Sequence, residues 1–227
     1  MKTLVIIPAR GGSKGIPHKN IKPLNGKPLI HYTIDVARGV AADEDICVST
    51  DDADIIRCVE DYGLRVPFVR PAALATDTAG TYEVLLHAVD FYEKQGKKYD
   101  NVLLLQNTSP FRRVEDVKGA MALYREDIDM VVSVKEIVSP YYNSFEEENG
   151  FLKQISNGIT YVRRQDAPKT YEYNGAIYVI NVESLKHCSL GDFTRCVKYV
   201  MDDMHSIDLD TMLDWKYAEF VIKEGLV

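Results

Sequence analysis

Short apolar runs rich in β-branched residues alternate along this chain with segments of helical period, and this alternation constrains the fold more than any other feature. The runs occupy residues 3–8, 45–50, 101–106 and 129–134. They are apolar almost throughout, which is typical of strands that are buried on both faces of a parallel sheet.

The segments between these runs have the apolar spacing of amphipathic helices. In residues 81–95 the predicted apolar stripe consists of Leu85, Ala88, Val89 and Tyr92, and in residues 113–126 of Val117, Met121 and Tyr124. A closing helix is predicted near residues 211–223, with a buried face made of Leu213, Tyr217, Phe220 and Val221. Repeated strand, helix, strand order predicts an α/β fold with a doubly wound, mostly parallel sheet.

The alternation of predicted strands and helices stops at residues 137–173, which are polar, rich in tyrosine and interrupted by Pro, Asn and Gly. A structureless loop of that length is unusual in a compact domain. We therefore expect a small antiparallel arm or subdomain here that covers a site or a partner subunit. Residues 176–182 and 197–202 then resume the α/β pattern, so we expect a single domain over residues 1–227.

Charge and composition narrow the class of protein. The chain has 27 basic and 34 acidic residues and a net charge of −7, which disfavours nonspecific binding of nucleic acid or an anionic membrane. No apolar stretch approaches the roughly 20 residues that cross a bilayer, so a soluble cytoplasmic protein is expected. The cysteines lack metal or redox spacing and are expected to be reduced thiols in or near the core: Cys47, Cys58, Cys188 and Cys196.

A glycine-rich, basic loop directly follows the first predicted strand. It contains the glycines Gly11, Gly12 and Gly15 and the cations Arg10, Lys14 and Lys19. Glycines allow backbone N–H groups to approach a ligand closely, and the cations add fixed positive charge. The pattern favours a di- or triphosphate site, and the alternative is a strained turn without function.

Two familiar phosphate loops do not match. The Walker pattern needs a Lys directly after its last glycine, but Ile16 follows Gly15. A dinucleotide fingerprint must open directly into a helix, whereas here the next helix cannot begin before about Pro28. An open basic loop of this kind suits a nucleoside triphosphate that is cleaved.

Several blocks together resemble the N-acylneuraminate cytidylyltransferases, also called CMP-sialic acid synthetases, of the bacterial single-domain type. The blocks are residues 6–30, 49–52, 69–80, 103–112, 163–179 and 206–215. The resemblance implies a Rossmann-like nucleotidyltransferase fold and a homodimer. It also implies that the enzyme joins CMP from CTP to the anomeric hydroxyl of a nine-carbon 2-keto-3-deoxy sugar acid and releases pyrophosphate.

The resemblance assigns residues to the nucleotide. Those implied to bind CTP are Arg10, Gly11, Ser13, Lys14, Asn20, Arg70 and Asp77, with Arg10 and Lys14 also catalytic. Arg70 is implied to contact cytosine, and Asp77 to order its segment. For Arg70, a surface ion pair at a strand end is the alternative.

Two carboxylates, Asp208 and Asp210, are predicted to bind Mg²⁺ and to act in catalysis. Their spacing puts both side chains on one face of an extended segment, where hard oxygen ligands can share one cation. Alternatively, Asp210 caps the last helix. The neighbouring pair Asp202 and Asp203 is expected to be solvated surface.

The sugar acid is also assigned by resemblance. The implied substrate residues are Gln106, Thr108, Ser109, Arg163, Arg164, Gln165 and Asn174, with Arg112 shaping the loop that contains Gln106. The chain departs from the family at Asn107, where a Pro usually follows the Gln, so the loop backbone is less restrained.

Three alternatives remain open on the sequence. The first is the related synthetase for the eight-carbon acid of lipopolysaccharide. The second is a nucleotide-binding regulator without turnover. The third is a nicotinamide-dependent reductase, which the loop spacing disfavours.

Overall fold

The computed structural model describes residues 1–76, 80–156 and 158–227, and within them the central sheet has six strands. The described residues form ten strands in all, of which four belong to two small separate sheets. The ten are β1 (Thr3–Pro8), β2 (Pro23–Leu24), β3 (Lys27–Pro28), β4 (Ile46–Ser49), β5 (Asn101–Leu105), β6 (Met130–Ile137), β7 (Phe145–Glu148), β8 (Phe151–Gln154), β9 (Thr170–Asn181) and β10 (Cys196–Val200). The central order is β10-β6-β9-β5-β1-β4. Only β9 among these strands runs antiparallel to its neighbours, so the predicted mostly parallel sheet is confirmed.

Helices cover both faces of this sheet. They are α1 (Leu29–Arg38), α2 (Ala53–Asp61), α3 (Thr81–Lys94), α4 (Val114–Ala122), α5 (Pro140–Asn143), α6 (Val182–His187) and α7 (Met212–Lys223). One core cluster contains residues of α1, α2 and α4, and another contains residues of α3 and α6. The fold is therefore doubly wound, as predicted.

Strand β1 shows why its run is apolar throughout. Val5 and Ile7 lie in the core on the α1 face, whereas Leu4 and Ile6 lie in the core on the α3 face. Successive side chains of a strand point to opposite faces, and both faces of β1 are covered.

A third apolar cluster fixes the relative position of two loops. It contains Ile16 of the glycine-rich loop, Leu209 of the segment before α7, and the α7 residues Trp215, Ala218 and Val221, together with Leu24, Leu29 and Phe111. Both Ile16 and Leu209 are fully buried. Their burial against α7 brings the N-terminal loop and the acidic segment together, although they are far apart in sequence.

The predicted buried face of α7 is wrong except for Val221. The side chains of Leu213, Tyr217 and Phe220 are 77%, 48% and 52% exposed, and the helix instead buries Trp215 and Ala218 beside Val221. This helix has apolar residues around most of its circumference. Its period therefore does not decide which stripe faces the core.

Residues 137–173 include the antiparallel excursion expected from the sequence. Strands β7 and β8 pair from Phe145–Gln154 to Glu148–Phe151, and they lie outside the central sheet. The last residues of the range already belong to β9, since Thr170 pairs with Ile137 of β6. The arm is therefore an insertion between two neighbouring strands.

The structure tests the expectation that the cysteines are reduced thiols in or near the core. Within the described residues the four cysteines are free thiols, but Cys196 is exposed, which corrects its expected place in or near the core. Cys196 is the first residue of the edge strand β10, where it is exposed to solvent.

No helix in the described part of the chain is long and apolar enough to span a membrane.

Candidate active site

A cavity of about 430 Å³ opens at the carboxyl edge of the parallel strands. This edge is where open α/β sheets bind their ligands. The cavity is lined by Pro8, Arg10, Ser13, Lys14, Gly15, Lys19, Asn20, Arg70, Leu74, Thr76, Gly80, Thr81, Val84, Gln106, Asn107, Thr108 and Asp210. It therefore joins residues that follow β1, β4 and β5 with one residue from the segment before α7.

The glycine-rich loop forms one wall of the cavity. The Ser13 N–H donates to the Gly11 carbonyl at 3.0 Å, which turns the backbone after β1. The side-chain amide of Asn20 donates to the Arg10 carbonyl at 2.9 Å and fixes the start of the loop. At the back of the loop, the Gly11 N–H donates to the Asp51 carboxylate at 3.2 Å.

The acidic segment contacts this loop directly. The Lys19 ammonium donates to the Leu209 carbonyl at 2.7 Å and to the Asp210 carboxylate at 3.2 Å. A Cβ on Gly15 would lie only 2.1 Å from the Asp210 carbonyl oxygen. The absence of a side chain at Gly15 therefore permits this close approach.

Both Asp208 and Asp210 are exposed residues, but only Asp210 is among the residues that line the cavity. The Asp210 side chain is 71% exposed and lies in the cavity beside Lys19. Burial raises the pKa of the Asp208 carboxyl, and the nearby charge of Asp210 raises it further. The N-cap of α7 is Thr211, whose side chain accepts from the Asp214 N–H, so the alternative of Asp210 as the cap is wrong.

Asp202 and Asp203 are exposed, as expected. The Asp202 carboxylate contacts the His205 ring at 2.7 Å. Both residues line a separate cavity at the base of the arm and not the one that Asp210 lines.

Arg70 lies beside the end of β4 and is 5% exposed, so the alternative of a surface ion pair is wrong. Its guanidinium donates to the Ser49 hydroxyl at 3.0 Å, to the Ser49 carbonyl and to the Leu74 carbonyl. Burial lowers the pKa of this guanidinium, and the charge of Asp51 opposes that shift. These bonds fix one cation at the β4 side of the cavity.

The loop after β5 forms the opposite side of the cavity. The Arg112 guanidinium lies beneath it and donates to the Gln106 carbonyl at 3.0 Å and to the Ala176 carbonyl at 2.7 Å. The Leu209 N–H donates to the Thr108 carbonyl at 2.8 Å. An arginine of the same loop and the distant segment before α7 therefore fix the backbone on either side of Asn107.

The structure brings eight of the predicted site residues into this cavity: Arg10, Ser13, Lys14, Asn20, Arg70, Gln106, Thr108 and Asp210. Of the other described ones, Gly11 lies behind the loop against Asp51 and Asp52, and Ser109 is fully buried. Asp77 lies outside the described residues.

Three predicted substrate residues lie elsewhere. Arg163 is paired with Asp166 at 2.8 Å, while Arg164 and Gln165 line a second cavity of about 680 Å³ at the base of the arm. Within one copy of the chain, these residues are therefore not brought to Gln106. Their assignment to the sugar acid stays a prediction.

Asn174 has its side-chain amide bonded inside the protein. Its oxygen accepts from the Ser133 hydroxyl at 2.6 Å, and its nitrogen donates to the Ser206 hydroxyl at 2.9 Å. Gly175 follows with φ of 74°, where β6 and β9 shift register. The bonds of Asn174 thus fix the strand next to Arg112.

Sequence reasoning did not find Thr81 and Val84, which line the cavity from the first turn of α3. The apolar stripe of α3 could have indicated them, because the same face of the helix, followed back to its first turn, reaches the edge of the sheet where the cavity opens. The sequence analysis did not assign Asn107 to the site either, because it noted this residue only as a departure from the family pattern.

Comparison with known proteins places the chain in a family. Residues 4–216 match the family described as cytidylyltransferase. The chain is 33% identical over 223 residues to the CMP-N,N'-diacetyllegionaminic acid synthase of Legionella pneumophila, covering 96% of this chain and 95% of that protein. It is 31% identical to the pseudaminic acid cytidylyltransferase of Campylobacter jejuni, covering 98% of this chain and 97% of that protein.

A further relative is longer. The chain is 37% identical to the N-acylneuraminate cytidylyltransferase of Streptococcus agalactiae over 95% of this chain, but it spans only 52% of that protein.

A solved structure shares the fold. A CMP:2-keto-3-deoxy-manno-octonic acid synthetase complexed with CTP superposes with a TM-score of 0.72 at 19% identity, covering 99% of this chain and 100% of that one. The match over most of the chain, together with relatives above 30% identity, shows that the chain belongs to the cytidylyltransferase family.

Proposed function

We propose that this protein transfers CMP from CTP to the anomeric hydroxyl of a nine-carbon 2-keto-3-deoxy sugar acid, an N-acylneuraminate or a related nonulosonic acid, and releases pyrophosphate. The observation that carries the proposal is the meeting of the basic glycine-rich loop and the Asp210 segment in one cavity. The names of three relatives, which refer to three such acids, support the substrate class.

In this proposal the cations of the cavity bind the triphosphate. Arg10, Ser13 and Lys14 line the wall beside Asn20. The charges of Arg10 and Lys14 would stabilise negative charge that moves toward the leaving pyrophosphate. Arg70 lies at the β4 side, where the sequence resemblance places cytosine. Gln106 lies after β5, where the acid hydroxyl would approach the α-phosphorus in line with the bond that breaks.

We propose Mg²⁺ as the cofactor, bound by Asp208 and Asp210. Carboxylate oxygens are the hard ligands that Mg²⁺ prefers, and a cation near both side chains would offset the repulsion that raises the pKa of Asp208. No group of three or more His, Cys, Asp and Glu side chains in the described ranges could hold a metal ion, so phosphate oxygens would complete the ligand set. The ion would supply Lewis-acid polarisation of the α-phosphate.

The test of this function is pyrophosphate release from CTP with a panel of sugar acids. The panel contains N-acetylneuraminate, its deaminated form, legionaminate, pseudaminate and the eight-carbon acid of lipopolysaccharide. We expect turnover with at least one nine-carbon acid and a much lower kcat/KM with the eight-carbon acid. Preference for the eight-carbon acid would replace the proposed substrate, and CTP binding without any turnover would favour a regulator.

The close contact at Gly15 gives a prediction about the loop. We expect Gly15→Ala to lower kcat/KM about a hundredfold, because a new Cβ must push the loop away from the Asp210 backbone and displace the phosphate groups. The measurement is steady-state pyrophosphate release.

Gly191→Ala is the matched control for Gly15→Ala. Gly191 does not line the cavity, and a Cβ there would meet only the Ser189 hydroxyl, at 3.9 Å. We expect its kcat/KM to stay within about threefold of the wild type. Equal losses in both variants would show that the contact at Gly15 has no special role.

We also propose that the protein is a homodimer that uses the arm of residues 137–173. The arm exposes the apolar side chains Phe145, Phe151, Leu152, Ile159 and Val162, and Phe151 is 78% exposed. Apolar surface of this kind is typical of protein contacts. A second copy of this chain would cover it.

The dimer proposal predicts a selective effect of one charge on the arm. We expect sedimentation equilibrium to show a dimer for the wild type and a shift toward monomer for Leu152→Asp. Leu213→Asp is the matched control, because both leucines are 77% exposed and Leu213 lies on α7. A wild-type mass equal to the monomer at every concentration would contradict the proposal, and so would equal dissociation by both variants.

A further inference from the structure

The segment that contains Asp208 and Asp210 connects β10 to α7 without regular structure, since residues 201–211 form neither helix nor strand. Its later part is held at Leu209, whose side chain is fully buried and whose carbonyl accepts from the Lys19 ammonium at 2.7 Å. The position of the two carboxylates therefore depends on bonds to other parts of the chain.

Ser206 is the anchor at the start of this segment. It lies two residues before Asp208 and is 6% exposed, and its hydroxyl oxygen accepts from the Asn174 side-chain amide at 2.9 Å. Asn174 belongs to β9 and is 5% exposed. One buried hydrogen bond therefore connects the central sheet to the start of the acidic segment.

The orientation of the Asn174 amide is set by its neighbours in the sheet. Its Oδ1 atom accepts from the Ala176 N–H at 3.2 Å and from the Ser133 hydroxyl at 2.6 Å. A flipped amide would place its own N–H groups against the Ala176 N–H, which is also a donor, so Oδ1 must lie on this side. The Nδ2 atom is thereby directed to Ser206.

An irregularity in the sheet accompanies this arrangement. β6 and β9 pair up to Val132 and again from Val134, and between these points residues 174–177 of β9 lie opposite Ser133 alone. A bulge gives up ladder hydrogen bonds and is often found beside an active site, where it redirects a side chain. Asn174 is the first residue of this bulge.

The Asn174 amide uses its hydrogen-bonding groups inside the protein. Its Oδ1 atom accepts two bonds, and its Nδ2 atom donates to the Ser206 hydroxyl oxygen and to the Met201 sulfur at 3.3 Å. Asn174 is also not among the described residues that line the cavity. These bonds suit a role in positioning better than direct contact with a sugar acid.

We propose that Asn174 and Ser206 are positioning residues that hold the acidic segment where Asp208 and Asp210 can share one cation. The inference rests on the proposed function, since it concerns the proposed ligands of Mg²⁺. Removal of a group that orients metal ligands typically lowers metal affinity about 10–100-fold. Without the bond from Asn174, the start of the acidic segment would lose its attachment to the sheet.

The test measures how far Mg²⁺ strengthens the binding of CTP. Calorimetry gives Kd for CTP in EDTA and in Mg²⁺, and the first value divided by the second is the metal ratio. We expect Ser206→Ala to lower the metal ratio about tenfold. Kd in EDTA, and KM for the preferred acid at saturating Mg²⁺, should stay within about threefold of the wild type, because neither depends on the ion's position.

Asn174→Ala tests the other end of the same bond. We expect it to lower the metal ratio by a similar factor, and the double variant with Ser206→Ala should fall little further, because all three proteins lack one shared interaction. If Asn174→Ala does not fold, Ser206→Ala decides alone.

Ser184→Ala is the matched control for Ser206→Ala. Ser184 lies on α6, and its hydroxyl donates at 2.8 Å to the Asp129 carboxylate, just before β6 at the opposite edge of the sheet. We expect this variant to keep the metal ratio of the wild type, although it loses a hydrogen bond of similar length. Thermal unfolding of each variant measures the structural cost of the lost bond.

Several results would overturn the proposal. These are an unchanged metal ratio in Ser206→Ala, an equal fall in Ser184→Ala, and a wild-type ratio near one, which would remove the metal site itself. A higher KM for the acid in Asn174→Ala at an unchanged ratio would show that Asn174 binds the acid instead. Failure of the proposed function is distinguishable, because the wild type would then release no pyrophosphate, whereas the metal ratio needs only CTP, Mg²⁺ and the protein.

Discussion

Asp210→Ala is expected to lower the rate of pyrophosphate release about a thousandfold, which corresponds to roughly 4 kcal/mol of activation free energy. The expectation follows from the proposed role of Asp210 as a ligand of Mg²⁺ at the triphosphate. Its side chain lies in the same cavity as Arg10 and Lys14. Removing one of the two proposed carboxylate ligands would weaken the binding of the ion and would leave it less precisely placed at the triphosphate.

Stability should change little in this variant. The Asp210 side chain is 71% exposed, its partner is Lys19, and Thr211 rather than Asp210 caps α7. The Lys19 side chain is 13% exposed but keeps its bond to the Leu209 carbonyl, so the loss of its pair with the exposed Asp210 carboxylate should cost about 1 kcal/mol or less. The free energy of unfolding, measured by urea titration, should therefore fall by no more than that amount.

Asp127→Ala is a closely matched control for Asp210→Ala. The Asp127 side chain is also 71% exposed and is paired with a cation, Arg125 at 3.0 Å, but it lies before β6, at the opposite edge of the sheet. We expect full activity from this variant. Turnover of Asp210→Ala within about twofold of the wild type would contradict the proposed metal site.

The strands were predictable because burial on both faces leaves a direct trace in the sequence. Thr3–Pro8 and Asn101–Leu105 are apolar runs that coincide with β1 and β5. The place of β9 was not predictable, because an antiparallel strand inserted between β5 and β6 is set by pairing over long distances in the chain. The spacing of apolar residues within one strand does not tell which strands become its neighbours in the sheet.

The error in α7 has a related cause. Leu213, Tyr217 and Phe220 form one apolar stripe, and Trp215, Ala218 and Val221 form another. Both stripes satisfy the helical period, and only the second meets Ile16 and Leu209 in the folded chain. Tertiary contact therefore decided between two faces that sequence reasoning could not distinguish.

The candidate site was predictable where one segment supplies several groups. The residues Arg10, Ser13 and Lys14 belong to one loop, so their grouping follows from the loop itself. The bond between Asn107 and Asn20 joins residues 87 positions apart, and the bond from Lys19 to Leu209 spans 190. Such pairs depend on the completed fold.

Arg112 lies beneath the candidate site and donates to the backbone of the loop after β5. It is 2% exposed, and burial lowers the pKa of its guanidinium to about 9, so it is charged at neutral pH. No carboxylate is bonded to it within the described residues. Its partners are the carbonyls of Gln106 and Ala176 and the Thr33 hydroxyl at 3.2 Å.

We expect Arg112→Met to lower the free energy of unfolding by about 3 kcal/mol, because two buried carbonyls lose their donor at roughly 1–3 kcal/mol each. The loop after β5 would lose its support, so KM for the sugar acid should rise about tenfold while KM for CTP stays within about threefold. Arg57→Met, which removes an exposed arginine on α2, should change neither quantity. A loss in Arg112→Met below about 1 kcal/mol would mean that these carbonyls find other donors, and the buried guanidinium would then not be the support of this loop.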